Sequence, residues 1–308
     1  MAFEHKIKKI SKRDWSQIKS AWIAELASLQ INPPGNPPEF QISEFYDLEL
    51  AFKNLKMEGE HREQVKGIRP ALMHESIFML HKSANVLTAA HQQATEGLST
   101  WSIATAYQAA FFGKAALLGL LGLSIVEINS KHAVVDVWPG INESATNRQK
   151  AAYKIGSECQ IIQHSPLQHY HRWGILKRTL RTLTQSPIDG SWINAINDIE
   201  DKDFAKPRNR LHYNNTWNFS DLHTFFTPLD YLNFSSPVSH AVELNPANPR
   251  FSIYLATSLL SVACNLLKDI GLTATAVRAE FELVSNSCDY SRLTARSKYE
   301  LSVKQAFI

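Results

Sequence analysis

Apolar residues recur at three- and four-residue steps over several long stretches of this chain, and those stretches set its outline. Trp15, Ile18, Trp22, Leu26 and Leu29 share one helical face and predict a first helix over residues 13–30. The run Asn32-Pro33-Pro34-Gly35-Asn36-Pro37-Pro38 then stops it, because proline fixes φ and carries no backbone N–H, and separates an N-terminal arm from the rest of the chain. Residues 40–68 are charged and show no single period. The strongest helical pattern comes next. Residues 70–96 open on Pro70, which suits a first helical turn, and carry Leu72, Ile77, Leu80, Ala84, Leu87 and Ala90 toward one side. Gly97 breaks this run, and Ser99 or Thr100 can cap a second helix reaching about Leu121. A link that short predicts an antiparallel helix pair.

The period then changes. Ile125-Val126-Glu127-Ile128, a polar Asn129-Ser130-Lys131, and Ala133-Val134-Val135-Asp136-Val137-Trp138 read as a β-hairpin closed by Pro139-Gly140, and residues 153–163 suit a further strand. A helix is expected from Ser165-Pro166 to about Leu183, and a shorter one over 190–199. Residues 214–250 are loop-rich and hold Pro228, Pro237, Pro246 and Pro249. Ile253, Leu255, Leu259, Leu260, Val262, Leu266 and Leu267 mark a last strong helix over 251–270 that ends at Gly271, and 277–284 could form a closing strand. The expected fold is mainly α, a helical bundle with a β-hairpin or small sheet inserted near 124–163. Residues 1–66 would form a helical arm and linker, and 67–308 the main domain.

Composition narrows the classes of function. With 308 residues, 44% hydrophobic and 20% charged, the chain can bury a full core. A formal charge of +3 is too small for nucleic-acid binding by net charge, so an anionic partner needs a local patch. Cys159, Cys264 and Cys288 are odd in number and lack CxxC spacing, which argues against a disulfide framework or a cysteine zinc site. The charged start MAFEHKIKKISKRDW lacks the apolar stretch of a signal peptide; a cytoplasmic location is expected, and Asn142, Asn214 and Asn233 carry no glycan reading. Residues 101–123 are long enough to span a bilayer. However, Lys114 near the middle costs roughly 3 kcal/mol on insertion scales, and Ser102, Thr105 and Gln108 dilute the segment, so a buried core helix and no membrane contact are expected.

Functional side chains concentrate in Lys206-Pro207-Arg208-Asn209-Arg210-Leu211-His212-Tyr213. If Pro207 begins a helical turn, Arg208 and His212 stand at i and i+4 on one face, near enough to share a phosphate. Imidazole titrates near neutral pH and moves protons, while guanidinium grips two phosphate oxygens in parallel. Cleavage of RNA by its own 2′-hydroxyl needs those two services, proton handling and a fixed cation at the extra negative charge of the transition state, and no metal. The alternative for the same run is a solvated polar turn with a capping or packing histidine.

Two pieces of this chain resemble the HEPN family, the higher eukaryotes and prokaryotes nucleotide-binding domains. The Tyr- and Ala-rich segment Thr105-Ala106-Tyr107-Gln108-Ala109-Ala110-Phe111-Phe112-Gly113-Lys114-Ala115-Ala116-Leu117-Leu118 is similar to a helix of that family. The Arg208-Asn209…His212 run is similar to its Arg-polar-x-x-x-His signature, with three residues between Arg and His where the family usually has four or more. The resemblance covers roughly residues 70–270. It implies a bundle of four or five helices, a homodimer with both Arg/His sites along a shared cleft, and metal-independent endoribonuclease activity without a cofactor. In it, His212 would handle the proton, Arg208 would clamp the transition state and Asn209 would orient, with Lys206, Arg210 and Tyr213 contacting RNA. Such proteins often serve as toxins or antiviral effectors, with a cognate antitoxin or defence partner.

Other features are weaker. His164, His169 and His171 invite a metal reading, but no carboxylate or cysteine stands beside them in sequence and HExxH is absent, which favours scattered surface histidines. Arg172, Lys177, Arg178 and Arg181, with Lys202, Lys206 and Arg210, make the middle of the chain basic, either a phosphate-tracking surface or a solvated face. Lys6, Lys8, Lys9, Lys12 and Arg13 read as a solubilising tail. Tyr107, Phe111 and Leu118 read as core, with Lys114 snorkelling or meeting an acidic partner. No phosphate-binding glycine loop and no GxSxG elbow occurs, which disfavours nucleotide hydrolysis and common serine-hydrolase chemistry.

Overall fold

A computed structural model describes residues 10, 12–28, 60–65, 67–128, 130–141, 158–164, 167–213, 244–248 and 250–272. The expected closing strand at 277–284, most of the 214–250 loop region and Cys288 lie outside these. The described part is mainly helical with a small sheet. The chain divides into two compact units, Met1–Ile77 with Leu118–Ser186, and Phe78–Leu117 with Pro187–Ile308.

The first unit holds β1 (Arg13–Asp14), α1 (Trp15–Ser28), β2 (Glu60–Gln64), the start of α2 (Ile68–Thr95) and the end of α3 (Ser99–Leu120). It continues through β3 (Leu123–Ile128), β4 (Lys131–Asp136), β5 (Glu158–His164), α4 (His169–Arg181) and β6 (Leu183–Thr184). The hairpin forms, but β3 begins two residues before the expected Ile125, and β4 spans Lys131–Asp136 rather than 133–138, so Lys131 belongs to the strand and not to the turn. Ser130, in its turn, sits at φ 61, the left-handed region a tight reversal needs. The sheet runs β2-β5-β4-β3, antiparallel throughout, and β1 pairs in parallel with β6 apart from it. Strand β2 falls in the segment whose sequence shows no period; its run Glu60-His61-Arg62-Glu63-Gln64 is polar on both faces, so pairing with β5 rather than burial defines it.

Trp15, Ile18 and Trp22 of α1 are buried, as their spacing requires. Trp22 Nε1 donates to Leu120 O at 2.8 Å, and its ring meets Trp138 edge-on with centroids 5.1 Å apart. The Arg69 guanidinium lies 4.2 Å from the Trp138 ring centroid, while its Nε donates to Val137 O. Gly122 sits under that same ring at φ +82, and a Cβ there would overlap the Trp138 indole. Gly122→Ala therefore combines backbone strain with a clash, and is expected to lower unfolding free energy by more than about 1 kcal/mol; equilibrium denaturation of the two proteins reads this directly.

Helices α2 and α3 run antiparallel, as the short link demands: Ser76 approaches Gly119, and Ser83 Oγ donates to Ala109 O at 2.7 Å. Small residues permit the approach, since a Cβ at Gly119 would overlap Ser76 Oγ and one at Gly113 would crowd Ser83 and Leu259. Among the described residues, two helices have enough length and apolar content to cross a membrane, Thr100–Leu120 and Phe251–Ile270, and both are mostly buried within the protein.

The second unit comprises the rest of α2 and α3 with α5 (Gly190–Asp198), a 3-10 turn (Asp203–Ala205), α6 (Lys206–Tyr213) and α7 (Phe251–Ile270). Asp189 caps α5 by accepting from the backbone N–H of Ser191 and Trp192, and Trp192 and Ile196 face inward. The hydrogen bond from the Ser191 side chain, then those backbone donors, hold the Asp189 carboxyl below its ordinary range. Helix α7 keeps the bounds its pattern predicts. Gly271 closes it at φ +94, with Leu272 N donating to Leu267 O. Burial on α7 pushes the Cys264 thiol up to about 12. Native Cys264 is therefore expected to resist iodoacetamide at pH 8 and to react once the chain is unfolded; site-resolved mass spectrometry distinguishes the two.

Candidate functional site

The run Lys206–Tyr213 is helical, entered directly from the 3-10 turn at Asp203–Ala205. Pro207 occupies the first turn, where its missing N–H costs nothing, and is buried. Arg208 and His212 therefore stand one helical turn apart, a rise of about 6 Å. The guanidinium of Arg208 lies over the Tyr107 ring of α3, 5.8 Å from its centroid. Tyr107 itself is 1% exposed, so Arg208 rests on a fixed aromatic floor. A guanidinium so seated keeps its in-plane N–H donors for another partner.

The neighbours divide. Lys206 Nζ pairs with Asp203 Oδ2 at 3.3 Å, which ties it to its own turn. Asn209 is exposed and Arg210 half-buried on the same helix. The side chains of His212 and Tyr213 lie outside the described residues, so the helix fixes their backbone positions alone. The spacing of Tyr107 marks it as a packing residue; its second part, as the platform for a guanidinium 101 positions later, has no signal in the sequence.

Several other expectations change with the tertiary structure. Lys114 does not snorkel: it is 1% exposed, with Nζ 3.6 Å from the Phe111 ring centroid. Arg13 is no part of a solubilising tail but a fully buried partner of Asp136, whereas Lys12 is exposed and Lys6, Lys8 and Lys9 fall outside the described residues. The basic run on α4 is solvated only in part: Arg181 is exposed and Arg178 half-buried, whereas Lys177 is buried and burial lowers the pKa of half-buried Arg172, against a smaller upward effect of Glu127. Lys202 is held by Glu200 at 3.0 Å. His171 Nδ1 accepts from Gln168 N at 3.1 Å, and this closes the first turn of α4; His169 is exposed. Among the described residues, no three His, Cys, Asp or Glu side chains are gathered as a metal site.

No protein-family model matches the chain, and no curated protein or solved structure matches it either.

Proposed function

We propose that this chain is a HEPN-like, metal-independent endoribonuclease that cleaves RNA by 2′-hydroxyl attack. His212 would transfer the proton, Arg208 would hold the transition-state phosphate and Asn209 would orient the substrate, with Arg210, Lys206 and Tyr213 contacting flanking RNA. The single observation that carries this reading is the seat of Arg208 on Tyr107. It brings together, inside one unit, the two separate pieces of sequence that resemble the family. The mainly helical architecture and the antiparallel α2–α3 pair agree with such a bundle, and a homodimer aligning two copies of α6 would complete a cleft. The test is incubation of the purified chain with RNA in EDTA. Cleavage with 2′,3′-cyclic phosphate ends supports the reading, and its absence across varied RNAs removes it.

The three-residue spacing between Arg208 and His212 favours a second reading, a helical module that binds RNA, a nucleotide or a protein without turnover. Binding without cleavage supports it. Affinity that falls steeply with salt would mark nucleic acid as the ligand, and salt-insensitive affinity a protein.

A further inference from the structure

Along an antiparallel strand, residues whose backbone groups bond to the neighbouring strand alternate with residues whose groups point away from it. Val137 N donates to Gly122 O at 3.0 Å, so Gly122 and Val137 form a bonded pair. Steps of two along the register then direct the N–H and C=O of Ser124, Val126 and Ile128 to β4, and turn those of Leu123, Ile125 and Glu127 outward. Among the described residues, β4 is the one strand that pairs with β3, which leaves β3 at the edge of the sheet. Leu123 is fully buried, whereas Ile125 is half-buried and Glu127 exposed, so the reachable part of this edge is Ile125 and Glu127. We propose that this edge pairs with its own copy, antiparallel about a twofold axis at Val126, and joins two four-stranded sheets into one continuous sheet.

One register satisfies both reachable residues of both chains. With the axis at Val126, Ile125 of each chain faces the partner's Glu127, and each such pair exchanges its N–H and C=O groups. An axis at Ile125 would need Leu123, which is buried, and an axis at Glu127 would set two carboxylates directly opposite each other, which is destabilising. About Val126 the two carboxylates stand on the diagonal, about 7–8 Å apart, and each keeps the attraction of Arg172 in its own chain. The two edges of the sheet differ in the same sense. Strand β2 presents Glu60, Arg62 and Gln64, a polar edge of the kind that resists pairing, while β3 holds a single charge among Ile125, Val126 and Ile128, which favour extended pairing. A second copy fits because the open residues complement themselves, an apolar side chain against the aliphatic stem of a carboxylate on both sides of the axis. Twofold pairing also closes, whereas β3 laid on the partner's β2 would propagate. None of these residues belongs to the proposed ribonuclease site, and a dimer along α6 would leave β3 untouched, so either reading can fail alone.

The test is sedimentation equilibrium of the full chain together with residue-resolved amide exchange. Twice the chain mass is expected at high concentration. Exchange at Ile125 and Glu127 should slow by about tenfold or more between dilute and concentrated protein, while Ser124 and Val126 stay protected by β4 throughout. Ile125→Glu sets a carboxylate opposite the partner's Glu127 in both pairs and should abolish the dimer, whereas Ile125→Lys sets an ammonium there and should keep it. Both changes put a long charged side chain at one position, so an effect on folding would move them alike; thermal melts verify the two, and exchange in the native chain needs neither. A single chain mass at every concentration, a dimer that Ile125→Glu leaves intact, or open-ended polymers overturn the proposal.

Discussion

Arg208→Ala and His212→Ala are each expected to reduce RNA cleavage by about 10²-fold or more, measured as single-turnover rates on one labelled RNA. The two losses have different origins. Removing the imidazole takes away the group that moves the 2′-hydroxyl proton, so the remaining rate should lose its dependence on pH near neutrality. Removing the guanidinium takes away a cation whose value lies in the charged transition state, and Arg208→Lys should recover little, because an ammonium cannot make two parallel bonds to phosphate. Folding should survive. A cation over an aromatic face at a partly exposed site contributes roughly 0.5–1 kcal/mol, small against a total stability of about 5–15 kcal/mol. Tyr107→Phe keeps the ring under Arg208 and should leave the rate within a few-fold. Full cleavage by both alanine variants would remove Arg208 and His212 from the chemistry.

Asp136→Ala is expected to lower unfolding free energy by about 3–5 kcal/mol, the usual cost of stripping one partner from a buried pair. Arg13 Nη2 and Asp136 Oδ2 stand 2.6 Å apart with both side chains fully buried, as an ion pair rather than a well-angled hydrogen bond. Asp136 also accepts from the backbone N–H of Trp138 at 2.9 Å, and Arg13 Nη1 donates to Trp138 O at 3.4 Å. Loss of the carboxylate thus leaves both a guanidinium and a backbone N–H without it. Asp136→Asn keeps the acceptor for Trp138 while removing the charge, and should fall between the native chain and Asp136→Ala. The double change Arg13→Met with Asp136→Leu should be less damaging than Asp136→Ala, since neither charge is then buried alone. Equal stability of Asp136→Ala and the native chain in urea would contradict this account.

Most helices were legible because they bury one face, and burial prints its period on the sequence. The helices expected over 70–96, from Ser99 or Thr100 to about Leu121, over 190–199 and over 251–270 appear at 68–95, 99–120, 190–198 and 251–270. The first helix begins at Trp15 rather than 13, because Arg13 and Asp14 are drawn into pairing with Leu183 and Thr184. Strand β2 left no pattern, since its charged residues are ordered by a partner strand about 100 positions away. The expected strand over 153–163 is described from Glu158 to His164.

The candidate site divides the same way. Local spacing alone places Arg208 and His212 a turn apart, because a helix converts a difference of four positions into neighbours. Which aromatic ring lies under Arg208, which carboxylate meets Arg13 and which residues line up across the sheet depend on contacts between segments far apart in the chain. Residue order and periodicity were enough to give the repeating elements and the chemistry available in each. The pairings came from the folded chain, because any polar side chain can meet many partners and topology selects one.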